Sequence, residues 1–117
     1  MFSFFRKKHT AAEDAALCLP VQTDIHSHIL PGIDDGSPDI ETSLRLVKGI
    51  HRLGIRKTIA TPHVISDLYR NTPETIGNAL QQLRAAVKAE GIDIEINAAA
   101  EYMLDDYFLK LLKTPKE

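Results

Sequence analysis

Apolar positions along this chain follow two spacings, and the pattern switches between them three times. Val21–His26 reads as a short strand that runs directly into a loop rich in Gly, Pro and Asp over residues 31–39. Ser37-Pro38 then resembles a helix start, with the serine as N-cap and proline at the first helical position. Leu46, Ile50 and Leu53 recur at helical spacing, Val47 widens the stripe, and Gly54 closes the helix. Thr58–Thr61 is a second strand, rich in β-branched residues and ended by Pro62. Thr72-Pro73 opens a second helix, lined by Ile76, Leu80, Leu83 and Val87 and stopped by Gly91. Ile92–Asn97 alternates with a period of two and is the third strand; Leu104–Lys113 is a third helix. Strand then helix, three times over, predicts parallel pairing through right-handed crossovers and hence an α/β fold. Three such units are too few to close a barrel, so the pattern implies a small open sheet or a chain cut short.

The region before Val21 has no such pattern. Residues 1–20 read as a leader or flexible N-terminal tail, with a polar, alanine-rich run over His9–Ala16 that suits a helix and is stopped by Pro20. Phe2, Phe4 and Phe5 beside Arg6, Lys7 and Lys8 have the composition of a membrane-surface contact, but the apolar part is far too short to span. Its charges follow the apolar residues, the reverse of a secretory signal. Residues 21–117 form one domain, and a chain of 117 residues supports only one of this size. The 44% hydrophobic and 26% charged content is that of an ordinary globular protein, and a net charge of −2 argues against nucleic acid as a partner. A lone cysteine, Cys18, rules out an intramolecular disulfide and suits a reducing compartment.

The candidate chemistry sits where the strands end. His26 and His28 lie two apart at the end of the first strand, so an extended chain points both imidazoles to one side. Two imidazoles facing one way suit a first-row divalent metal. Asp34-Asp35-Gly36 follows in the loop and adds oxygen donors on a backbone that glycine lets bend. His63 stands just past the second strand and Glu101 just past the third. In parallel βα units the C-terminal strand ends share one side of the sheet, which is where active sites are built. All three strands therefore deliver a potential ligand to the same rim. His51, Arg70, Asp105 and Asp106 have plainer readings: a surface histidine, a solvated loop arginine that an anionic substrate could meet, and two acids favouring the start of the third helix.

Other chemistries lack their residues. A calcium EF-hand with Gly36 in the glycine position would need its closing Glu at residue 42, which is Thr42. There is no Gly-rich phosphate loop, no His-Glu-x-x-His and no Gly-x-Ser-x-Gly. Cys18 has Asp24, not arginine, six residues on, so a cysteine-nucleophile phosphatase is unsupported.

The run Asp24-Ile25-His26-Ser27-His28-Ile29-Leu30-Pro31-Gly32-Ile33-Asp34-Asp35-Gly36 resembles the first motif of the PHP-type (polymerase and histidinol phosphatase) tyrosine-protein phosphatases of bacterial capsule and exopolysaccharide clusters. Ala60-Thr61-Pro62-His63 is similar to their second motif, and Ala100-Glu101 to the glutamate ending their third strand. The resemblance runs from about Thr23 to the end of the chain. It implies the first three βα units of a distorted (β/α)7 barrel, truncated here, since members are roughly twice this length. It also implies up to three divalent ions, manganese above iron or zinc. By position, His26 and His28 would bind one metal, Glu101 would bridge two, and Asp35 and His63 would contribute to the third site, with Asp34 the less favoured ligand of its pair. No general acid follows. The implied substrate is phosphotyrosine on protein, a tyrosine kinase of polysaccharide export the implied partner, and the cytoplasm the implied location. Two alternatives stand beside this: a histidinol-phosphate or other small-molecule phosphomonoesterase of the same superfamily, and a non-catalytic truncated remnant. Oligomeric state leaves no trace in the sequence.

Overall fold

A computed structural model describes residues 18–114. The expected helix over His9–Ala16 and the aromatic and basic stretch Met1–Lys8 lie outside the described residues. Eight elements follow in order: β1 (Thr23–Asp24), α1 (Ile40–Arg52), β2 (Lys57–Ala60), β3 (His63–Val64), α2 (Pro73–Ala89), β4 (Glu95–Ala98), β5 (Glu101–Tyr102) and α3 (Asp106–Lys113). β1, β2 and β4 form one parallel sheet in that spatial order, with Asp24 opposite Thr58 and Ala60 opposite Ala98. β3 and β5 form a second parallel pair, with His63 opposite Glu101. The α/β class and the parallel pairing read from the sequence hold. Among the described residues no helix is long and apolar enough to cross a membrane.

The second pair of strands is what the sequence reading missed. His63 and Glu101 are not loose residues beyond strand ends. The chain bends at Thr61-Pro62 and at Ala99-Ala100, then resumes pairing. Hydrogen bonds carry the ladder across the bend: Ala99 N donates to Ala60 O at 2.8 Å, Glu101 N to Pro62 O at 2.9 Å and Met103 N to Val64 O at 3.0 Å. Proline at 62 cannot donate but its carbonyl still accepts, so the bend costs no ladder acceptor.

Helix boundaries shift for local reasons. α1 is capped by Asp39, whose Oδ1 accepts from Thr42 N at 2.7 Å, and not by Ser37. The Ser37 hydroxyl is engaged elsewhere, donating to Asp39 O and pairing with Ser43 Oγ at 2.7 Å in the buried interior. Pro38 therefore precedes the cap. The buried face of α1 is centred on Ser43 and Val47, and Leu46, expected in the stripe, is 42% exposed. Gly54, just past the Leu53 C-cap, takes φ of 98°, a conformation that favours glycine. α2 starts as expected: Thr72 caps it, Thr75 completes the reciprocal capping box, and Pro73 opens the first turn. The third strand is shorter than its alternating pattern, because Ile92 N bonds back to Val87 O and Ile94 N to Ile92 O before pairing begins at Glu95. α3 begins at Asp106, not Leu104, because Asp105 caps it by accepting from Phe108 N at 2.9 Å.

The core lies between the three-stranded sheet and the two longer helices. Val47 of α1 and Leu83 and Val87 of α2 pack with Ala60 of β2, Ile96 of β4 and Leu30 of the first loop. Fully burying such a side chain contributes roughly 1.5–3 kcal/mol. This packing fixes the sheet, and the sheet fixes the rim from which the polar side chains project.

Candidate metal centre

His26 and His28 leave the end of β1 side by side, their rings edge to face with centroids 5.3 Å apart. Backbone contacts fix this stretch: Thr61 N donates to Ser27 O at 2.7 Å and Ser37 N to His28 O at 3.0 Å. The second contact requires the loop to fold back on the histidine. A Cβ on Gly36 would collide with the carbonyl oxygen and Cβ of His28, so only glycine permits that approach. His63 arrives from β3 and Glu101 from its register partner on β5.

The three imidazoles converge on one carboxylate oxygen of Glu101. Glu101 Oε2 lies 3.1 Å from His28 Nε2, 3.5 Å from His26 Nε2 and 3.5 Å from His63 Nδ1. Asp35 closes the other side, with Oδ1 3.4 Å from His63 Nε2. Two overlapping donor groups result, His26/His28/Glu101 and His28/Asp35/His63, each with its ligand atoms within 4.8 Å of one another. All five residues singled out from the sequence are thus brought together.

Glu101 Oε2 is closed off from solvent and has no hydrogen-bond partner. A carboxylate oxygen so placed is unstable unless something positive or protic faces it. Its nearest neighbour, His28 Nε2, supplies no proton in the neutral ring, because Nδ1 is the nitrogen that points at Asp34 Oδ2, 2.8 Å away. Two lone pairs therefore meet across 3.1 Å. Nitrogen and oxygen donors about 2.1 Å from a divalent ion stand about 3.0–3.4 Å from each other. The orphaned oxygen with His26 and His28 makes a donor group of about that size.

In the metal-free chain a proton can take that place. The hydrogen bond to Asp34 raises the His28 imidazole above its ordinary value against the opposing effect of burial, with the Asp34, Glu101 and Asp35 charges adding to the rise. For Asp34, burial disfavours the charged form, but hydrogen bonds from His28, His63 N and Gly36 N outweigh it and hold the carboxyl below its ordinary value.

Several residues that support the site had no distinguishing signal in the sequence. Thr61 Oγ1 lies 3.2 Å from His26 Nδ1. Buried Asn71 donates from Nδ2 to both Ile33 O and His63 O at 2.8 Å, tying the aspartate loop to β3. Tyr69 stacks on His63 at 6.0 Å. Asp105 does more than start α3, since its second oxygen accepts from Ser66 N. Arg70 is exposed, bonded to Ser66 O at 2.6 Å, and lines with Tyr107 and Lys110 a cavity of about 390 Å³ that none of the five donors borders.

An α/β chain whose parallel segments deliver imidazoles and carboxylates to a common rim presents a candidate metal site of the βα class. Residues 22–117 match the family described as capsular polysaccharide synthesis, CpsB/CapC, and the chain belongs to that family. It is 40% identical over 73 residues to the tyrosine-protein phosphatase YwqE of Bacillus subtilis, covering 62% of this chain and 29% of that protein. It is 34% identical over 84 residues to the tyrosine-protein phosphatase CpsB of Streptococcus pneumoniae, covering 70% of this chain and 35% of that one. A solved structure described as "Crystal structures of YwqE from Bacillus subtilis and CpsB from Streptococcus pneumoniae, unique metal-dependent tyrosine phosphatases" superposes with a TM-score of 0.69 at 35% identity, over 78% of this chain and 37% of that one. The chain spans about a third of the length of the curated relatives it matches.

Proposed function

We propose that this chain forms the first part of a PHP-type metal-dependent protein-tyrosine phosphatase acting in capsule or exopolysaccharide synthesis. The observation that carries the reading is Glu101 Oε2, stripped of solvent and of hydrogen bonds and faced by three imidazole nitrogens. His26, His28 and Glu101 would hold one divalent ion, and His28, Asp35 and His63 mark out a second group of donors beside it. Residues 21–117 are proposed as the N-terminal βα units of a barrel of about seven such units, with residues 1–20 preceding it. Manganese, up to three ions, is the proposed metal, the cytoplasm the proposed location, and a tyrosine kinase of polysaccharide export the proposed substrate. The names of the relatives favour phosphotyrosine over histidinol phosphate.

Bound cations would supply Lewis-acid polarisation of the phosphoryl oxygens and a nucleophilic hydroxide at neutral pH. The chain's own contribution is placement. Glu101 and the three histidines come from separate segments locked by backbone pairing, so the donors are organised before any ligand arrives. Asp35, 63% exposed, and His26, 60% exposed, stand where a phosphate ester could approach from solvent.

The test is manganese content and hydrolysis of a phosphotyrosine peptide, with histidinol phosphate as the competing substrate, in the full-length protein and its His26→Ala, His28→Ala double variant. Loss of both manganese and peptide turnover in the variant is expected. Undiminished metal binding and turnover would refute the assignment.

A further inference from the structure

We infer that Asp34 is a positioning residue, whose carboxylate holds the His28 ring in the Nδ1–H tautomer and so presents a bare Nε2 to Glu101 and to any cation between them. This rests on the metal reading above but concerns a residue that reading leaves without a role. An ionised carboxylate only accepts hydrogen bonds, so the nitrogen 2.8 Å from Asp34 Oδ2 must be the one that carries the proton. In the neutral ring the other nitrogen, facing Glu101 Oε2, is then the lone-pair side.

Asp34 is unsuited to ligate metal itself. Its side chain is 1% exposed, and each oxygen already accepts an N–H: Oδ2 from His28 Nδ1 and from His63 N at 3.0 Å, Oδ1 from Gly36 N at 3.0 Å. Asp35, the next residue, is the opposite case, exposed and in ion-pair reach of His63 Nε2. The two neighbouring carboxylates thus divide the work, one turned inward to orient and one outward to bind. Because the same Asp34 oxygen accepts from the ring of His28 and from the backbone of His63, it also fixes the spacing of two donors, one from the loop after β1 and one from β3. Outer partners of this kind set the tautomer and ring orientation of metal-binding histidines.

The direct test needs no variant. Long-range proton–nitrogen correlation spectra of the full chain, labelled with nitrogen-15 at histidine, metal-free and at alkaline pH where the ring is neutral, should show His28 protonated at Nδ1 and bare at Nε2. The Nε2–H form would overturn the inference. Manganese titration of Asp34→Asn then adds a second arm, with the amide spectrum as the check on folding. Affinity is expected to fall about 10- to 100-fold with the number of ions at saturation unchanged. Loss of one bound ion would make Asp34 a ligand and overturn the proposal, as would unaltered affinity. An unmutated chain that takes up no manganese would sink the metal reading alone, and the tautomer spectrum would still decide the role of Asp34.

Discussion

The loop between β1 and α1 and the helix α3 differ in how completely their groups are answered. The loop is irregular, yet its polar groups find partners within it or just across it: Gly32 N bonds Ser37 O, Ser37 N bonds His28 O, Asn71 reaches Ile33 O, and Asp34 accepts three N–H groups. α3 is regular and amphipathic, properly capped by Asp105, and buries no residue. Its Leu109 and Leu112 are 52% and 66% exposed. Capping and periodicity suffice to form a helix, but most helical stability comes from packing an apolar face against something. Regularity and local stability are therefore separate properties, and in this chain the irregular segment is the better anchored of the two.

The sharpest way to test that contrast is to remove side chains on each side of it. Leu83, fully buried in α2, should cost about 2–5 kcal/mol when cut to alanine, read as a lowered urea midpoint. The hydrogen-bonded loop should respond next, to pH. Asp34, its carboxyl depressed, contributes stability above its ordinary 3.8 that is lost as pH falls through the depressed value. His28, its imidazole raised, contributes stability below its ordinary 6.5 that is lost as pH rises through the raised value. Urea unfolding of the metal-free chain should thus show the full contribution between those two ordinary values and a decline on either side. The amount at stake is about 1.5–3 kcal/mol, typical of a hydrogen bond between charged groups. A flat profile would mean that the loop is not held by this pair. Smallest of all, Leu112→Ala in α3 should shift stability by no more than about 0.5 kcal/mol. A loss matching that of Leu83 would show that α3 is as well anchored as the core, and the contrast would fail.

Much of the site was readable before any coordinates. His26, His28, His63 and Glu101 were each placed at or just past the end of a strand by local pattern, Asp34 and Asp35 in the loop after the first, and parallel βα connectivity alone requires such ends to share a rim. Their roles relative to one another were not readable. Nothing in Asp34-Asp35 says which carboxylate turns inward, because the answer depends on His28 and on the backbone of His63, 29 residues away. Asn71 is one polar residue among many until the two carbonyls it binds are known. Ser37 looked like a helix cap because its hydroxyl could accept a nearby backbone N–H, but in the fold that hydroxyl donates to Asp39 O and pairs with the buried Ser43 hydroxyl.

Spacing along the chain was enough to give the element order, the parallel α/β class and a set of candidate donors, since each follows from pattern within one or two turns or one strand. The tertiary structure decided where the second and third strands bend and re-pair, which aspartate is buried, and that one glutamate oxygen meets three imidazoles. Those outcomes rest on hydrogen bonds and burial between segments distant along the chain. Local periodicity carries no record of them, because either partner alone is compatible with many neighbours.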